Sequence, residues 1–406
     1  MVEMADPRRL IATRNTMPTS QSNDNNVIGL NKWLRLAIAL CAVQYPFTVI
    51  LFPTIPSKEI LLAMPVAIGA LLAFWNTKNV KPYIFLLVAY VAILGMVHFN
   101  FEWSGNPFSE KKLGSFEIAI FIFGLSVSFC LVEGENEAFS FAVAILGVAV
   151  AVSLVSGATT WQAQRFTFND ANPIWLARVL GFSLLGSVSL FLKLQKWRYV
   201  IAVEIVLLLY CILITGSRGP LIAAVAGCAL LAMQSVRSRL VLKATISIAV
   251  VASISALVVG TGLIDWLIEF RAIRTQDNSA SFRILMLQHA TRLIAEFPEG
   301  IGLGAFFYQG ATYPHNIFVE LVVEWGWLPG CIAISIILGS IFGLALKMKE
   351  FNFVLAVYLM EILNASFSGD ITSPRMLYGI VFASYSWAFF EAKSRQIDGA
   401  LQARLV

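Results

Sequence analysis

Four arginines and two of the chain's three histidines fall within one polar stretch, residues 265–315: Arg271, Arg274, Arg283, Arg292, His289 and His315. A guanidinium is charged at every physiological pH, and its planar fork matches phosphate oxygens. Imidazole is the side chain that takes up or releases a proton near neutrality. Together these types suit proton transfer beside a concentrated anion. Pro314 breaks the chain before His315 and Asn316, where an apolar helix begins. Backbone N–H groups at a helix start favour anions and depress the pKa of an adjacent imidazole, which is then neutral and able to accept a proton. Glu320 and Glu324 follow at i,i+4 spacing, and acids at that depth need partners, for which the cations of the polar stretch are the expected choice. A further arginine, Arg218, stands in the turn of LITGSRGPLIA, where Gly216, Gly219 and Pro220 enforce a tight reversal. Each residue also has a structural reading: Arg218 as a snorkelling arginine, Arg283 paired with a lipid phosphate, His315 as a packed interface residue.

The elements that must position these groups are membrane helices. Of 406 residues, 58% are hydrophobic and 13% charged, with a mean hydropathy of +0.77; soluble domains average about 25% charged. Five cysteines, Cys41, Cys130, Cys211, Cys228 and Cys331, all lie in apolar segments and suggest neither a disulfide framework nor a metal site. Twelve apolar segments are candidate spans: 33–53, 59–76, 82–99, 115–132, 138–156, 171–192, 198–214, 219–233, 241–264, 325–346, 352–368 and 376–391. The expected fold is therefore an all-α polytopic membrane protein with one long loop, 265–324, between the ninth and tenth spans. Within that loop, Phe282, Met286, Ala290, Leu293 and Phe297 follow helical spacing and predict an amphipathic helix lying at the bilayer interface. Residues 1–30 read as a disordered tail rather than a signal peptide, 31–392 as a single membrane domain, and 393–406 as a second tail. With an even span count, the loops on the side of the termini carry 17 lysines and arginines against 10 opposite, four of these in the long loop. The positive-inside rule then puts both termini in the cytoplasm and the polar stretch outside.

These segments together resemble the O-antigen ligase/polymerase superfamily of bacterial glycan transferases. The similarity rests on TGSRGPL, on an arginine followed by FPEGIGLGAF, on PHNIFVELVVEWGWLPG and, more weakly, on NDANPIWLAR at 169–178. It covers roughly residues 165–346. The outer loop is short for a ligase of this type, and Leu285 to Leu287 stand where a tryptophan is usual.

The resemblance implies an enzyme of the bacterial inner membrane, with its active site on the periplasmic face, that moves a glycan from undecaprenyl diphosphate to an acceptor hydroxyl. Arg218 and Arg283 would stabilise the departing diphosphate, and His315 would accept the acceptor's proton. Direct attack would invert the anomeric centre, without metal or cofactor. Arg165, Arg178, Asn316, Glu320 and Glu324 are further candidates for the diphosphate site. Arg178 would lie roughly 10 Å below the outer surface, meeting Glu361, Glu320 or a lipid phosphate. The partners implied are the lipid-linked donor, lipid A–core or a growing glycan as acceptor, the bilayer and polysaccharide assembly proteins, with no nucleic acid. Ligation of O-antigen is the leading reading. A repeat-unit polymerase of the same superfamily is its rival. A twelve-span transporter is a more remote one, since it would carry ionisable groups at mid-membrane in both halves.

Overall fold

The computed structural model describes residues 24–51, 58–77, 80–100, 107–133, 136–156, 159–162, 165–168, 172–235, 278–311, 313–346, 352–367 and 369–405. The predicted span 241–264 and both Arg271 and Arg274 lie outside the described residues. Fourteen helices are described: α1 (Asp24–Leu51), α2 (Lys58–Asn76), α3 (Lys81–Asn100), α4 (Pro107–Glu117), α5 (Leu125–Glu133), α6 (Asn136–Val155), α7 (Pro173–Lys193), α8 (Arg198–Thr215), α9 (Arg218–Ser235), α10 (Asn278–Glu296), α11 (Ile317–Trp325), α12 (Trp327–Leu346), α13 (Asn352–Phe367) and α14 (Arg375–Leu405). A π-helical stretch, Ile118–Gly124, joins α4 to α5. One antiparallel hairpin interrupts the helices, β1 (Thr159–Gln162) with β2 (Arg165–Phe168), in the register Thr159↔Phe168 to Gln162↔Arg165. The hydropathy reading did not anticipate it. The chain divides into two compact units, Met1–Leu34 and Arg35–Val406. In the first the described residues are the opening turns of α1; the second holds all that follows.

Five stretches among the described residues are long and apolar enough to cross a membrane: Glu110–Val132, Glu137–Leu154, Pro173–Lys193, Gln195–Thr215 and Trp327–Ala345. Shorter apolar helices occupy Met64–Trp75, Lys81–Gly95, Arg218–Gln234 and Phe353–Phe367. Their burial separates two kinds of helix. Val200, Val203, Val206, Tyr210 and Leu213 make an exposed apolar stripe along α8, as a lipid-facing helix requires. In α7, by contrast, residues from Leu176 to Leu190 are buried almost throughout, and α6, α8, α9 and α13 pack around it.

Small residues let these helices approach. A Cβ on Gly186 of α7 would lie 2.3 Å from Val143 and 2.8 Å from the carbonyl oxygen of Ser140, both on α6. Ser140 Oγ donates to Ser189 Oγ across the same interface at 2.9 Å. With apolar lipid outside and apolar side chains inside, close backbone packing and such hydroxyl pairs hold helices together.

The segments around the polar stretch are set by caps. Asn172 accepts from the backbone N–H of Ile174 at 2.9 Å, with Pro173 as the first residue of α7. Gly216 ends α8 in the left-handed conformation, so Arg218 opens α9 two residues later. Asn316 caps α11, its Oδ1 accepting from Phe318 N (3.0 Å) and Val319 N (3.1 Å). Before and after α11 the chain is stitched to itself: Ile301 N donates to Val323 O, Gly302 N to Glu324 O and Trp327 N to Pro298 O. Gly300 (φ 95°) and Gly326 (φ 85°) face each other in this seam. A Cβ on either would come within about 2.5 Å of the other strand's backbone, which is why FPEG and EWG both carry a glycine.

Helix α10 is the amphipathic helix expected between the ninth and tenth predicted spans. Met286 and Ala290 are fully buried, and Ala290 joins a core with Phe306 and Val323, against which Leu293, Ile294, Ile301, Tyr308 and Val319 pack. This part of its apolar face covers α11 and the seam, while Phe297 at its end stays exposed.

Gly186→Leu should force α6 from α7 and cost about 3 kcal/mol, read as a lower melting temperature in detergent. Gly95→Ala, where a Cβ would meet nothing within 4 Å, should leave the melting temperature unchanged or raise it.

Candidate active site

The carbonyl end of α13 gathers polar side chains from three other helices. The last carbonyls of a helix have no intrahelical partner, and in an apolar setting they need one. Arg178 of α7 donates from Nη2 to Asn364 O at 2.9 Å. Asn316, the cap of α11, donates from Nδ2 to Ser366 O at 3.1 Å. Arg283 of α10 donates from Nη1 to Phe367 O at 3.2 Å. The turn carrying Arg218 backs onto the same end: a Cβ on Gly219 would lie 3.2 Å from that of Phe367. The negative pole of the helix also favours cations held there.

His315 lies two residues before α11, in left-handed backbone (φ 58°). It immediately precedes the cap Asn316, at the helix start that the sequence indicated. Its ring meets Tyr313 edge-on at 4.4 Å, and its Nδ1 is buried without a protein hydrogen-bond partner. Its pKa is lowered from 6.5 to about 4, first by burial, next by the Arg283 guanidinium and less by Arg178, with Asp370 opposing. The imidazole is therefore neutral at physiological pH. The causes are desolvation and like charge. Tyr313 is pushed up by burial and by the negative charges of Asp370 and Glu320.

Arg178 and Arg375 line one partly open cavity with Glu361, Ser373, Trp175 and Phe123, with about 660 Å³ of empty volume. Arg178 lies 5.5 Å from the Trp175 ring, and Arg375 lies 4.7 Å from that of Phe123 on the π-helical stretch. Of the partners expected for Arg178, Glu361 is the one whose charge acts on it most.

Glu320 and Glu324 are fully buried, and the cation they meet is Lys112 of α4. Its Nζ lies 2.5 Å from an Oε1 of each, and Glu320 Oε2 accepts from Ile371 N at 3.1 Å. This corrects the expectation that arginines of the polar stretch pair with them. Glu320 thus meets a lysine and a backbone N–H, and Glu324 meets the same lysine. Asn316 likewise spends its amide on a cap and a carbonyl. Arg165 ends up in β2, which packs on α7 and α8.

Lys112, Asp370, Arg375 and Tyr313 went unremarked in the sequence as site residues. The signals were present: a Lys111–Lys112 pair at the head of an apolar segment, and a polar GDITSPR turn between two others. Asp370 accepts from Thr372 Oγ1 (2.9 Å) and Ser373 Oγ (2.5 Å), which builds that turn. Among the described residues, no group of three or more His, Cys, Asp or Glu is placed to hold a metal ion.

Residues 203–335 match the family model described as O-antigen ligase. That stretch is what the chain shares with the O-antigen ligase family. That match takes in Arg218, Arg283, His315, Asn316, Glu320 and Glu324, while Lys112, Arg165, Arg178, Asp370 and Arg375 lie outside it. No curated protein matches the chain. The family therefore marks the polar stretch and its flanking helices, and the carbonyl end of α13 is supplied from beyond it.

Arg283→Gln removes a like charge beside His315, so the imidazole's midpoint should rise from about 4 toward 6.5. Carbethoxylation of His315, quantified by mass spectrometry across that pH range, reads the midpoint. An unmoved midpoint would leave burial and Arg178 as the causes of the lowering.

Proposed function

We propose that this chain transfers a glycan from undecaprenyl diphosphate to an acceptor hydroxyl at the periplasmic membrane face, joining O-antigen to lipid A–core. The observation that carries this reading is a neutral, half-buried imidazole beside two guanidiniums, in a chain whose residues 203–335 match the O-antigen ligase family model. The acceptor oxygen attacks the anomeric carbon as its proton passes to His315. The bond from that carbon to the diphosphate oxygen breaks, and its electron pair leaves with the diphosphate. Attack from the face opposite the leaving group inverts the centre. The chemistry as written uses no metal. Arg218 and Arg283 stabilise the charge that develops on the diphosphate, with Arg178 and Arg165 adding positive potential. His315 is suited to the proton because it is unprotonated throughout the physiological range.

The accompanying layout is twelve spans in one catalytic domain, 31–392, of the bacterial inner membrane. Both tails are cytoplasmic, and residues 265–324 form the periplasmic loop. Arginines at helix ends and beside carbonyl groups support an anionic lipid-linked donor more than a transported solute, whose site would lie at mid-membrane.

Arg218→Ala, Arg283→Ala and His315→Ala should each reduce transfer by about 100-fold or more while the protein still inserts. A surface-polysaccharide gel of a deletion strain, complemented with wild type or each variant, reads this. Loss of the ladder from lipid A–core, with polymer left on its carrier, supports ligation. Core bearing a single repeat unit would mean polymerisation instead. Normal ladders with all three variants would overturn the site.

A further inference from the structure

Lys112, Glu320 and Glu324 form a charge cluster that transfer chemistry does not use. Two carboxylates share one ammonium at 2.5 Å each, and both are 0% exposed at their side chains against 9% for the lysine. Phe116, one turn after Lys112, packs edge-on against Trp325 at 5.7 Å and against Tyr378 at 6.0 Å, which walls the cluster with rings. The charges acting on Glu320 are Lys112 on one side and Glu324 and Asp370 on the other. Fully ionised, the three groups would leave a net negative charge in a dry pocket beside a further acid. Such a charge is costly enough that a proton is taken up instead.

We infer that Lys112, Glu320 and Glu324 hold one shared carboxylic proton, forming a charge-neutral clamp that positions helix α11 and the Gly369–Thr372 turn on either side of His315. The connections run outward from Glu320. Its Oε2 takes the N–H of Ile371, whose own carbonyl accepts from the Tyr378 hydroxyl. Asp370, the preceding residue, is the acid whose charge acts on His315. Along α11, Glu320 N donates to Asn316 O, and Asn316 is fastened to the end of α13. Lys112 brings α4 into the same knot. Glu320 is thus a positioning residue: it touches no reacting atom, yet it fixes the spacing of Asp370 and His315. A buried acid in so tight a cluster titrates as part of the group rather than singly.

The inference rests on the glycan-transfer reading for its kinetic readout alone. In the full-length protein, Glu320→Gln and Glu324→Gln each copy the protonated form and keep the charge balance. Each should retain near-wild-type kcat and melting temperature. The double variant strands the ammonium, so kcat should fall about 100-fold through lost alignment while KM for the lipid-linked donor is unchanged. Adding Lys112→Met to the double variant removes the stranded charge and should restore the melting temperature. The infrared difference spectrum of wild type minus double variant should contain the carbonyl band of a protonated carboxylic acid. Absence of that band, or single variants as defective as the double, would overturn the clamp. Should the wild type transfer no glycan, the functional reading fails on its own, and the band and melting temperatures still decide the clamp.

Discussion

The carbonyl end of α13 is the constraint on which the site depends. Its terminal oxygens sit among apolar helices, where an unsatisfied backbone group costs several kcal/mol. Arg178, Asn316 and Arg283 satisfy them from α7, α11 and α10. One helix end thereby fixes the relative positions of three elements that are far apart in sequence. The donors include two guanidiniums, which a carbonyl end favours electrostatically. Positive charge is thus held in place before any anion arrives, and an anion need not organise it.

His315 takes its character from this arrangement. A histidine among arginines in a partly dry site is a weak base, because desolvation and like charge both disfavour its protonated form. Asp370 pulls the other way, so the balance between the turn that carries it and the arginines opposite sets the imidazole's affinity for a proton. The acids that might have disturbed that balance, Glu320 and Glu324, are tied to Lys112. Cationic and acidic groups are thus sorted to different partners, although they lie close together in the chain.

The seam between Pro298–Gly302 and Val323–Trp327 makes the arrangement rigid. Three backbone hydrogen bonds and two facing glycines close a loop whose far side carries His315. Helix α10 covers the seam with Ala290, and in doing so delivers Arg283 to α13.

Much of the helical layout was legible because membrane helices declare themselves by uninterrupted apolar length, a property of each segment alone. The tight turn at Gly216 and the helix start at Asn316 were legible for the same reason, since each acts within a few residues of its position. Arg218, Arg283 and His315 stood out because charged or titratable residues are rare in such a chain. What the sequence could not show is which groups meet. Lys112 lies 208 residues before Glu320, and Asp370 lies beyond the polar stretch entirely. The apolar face of α10 also fits two environments equally well by pattern. Pairing of buried charges is settled by three-dimensional proximity and by the desolvation that packing imposes, and neither is a property of local sequence.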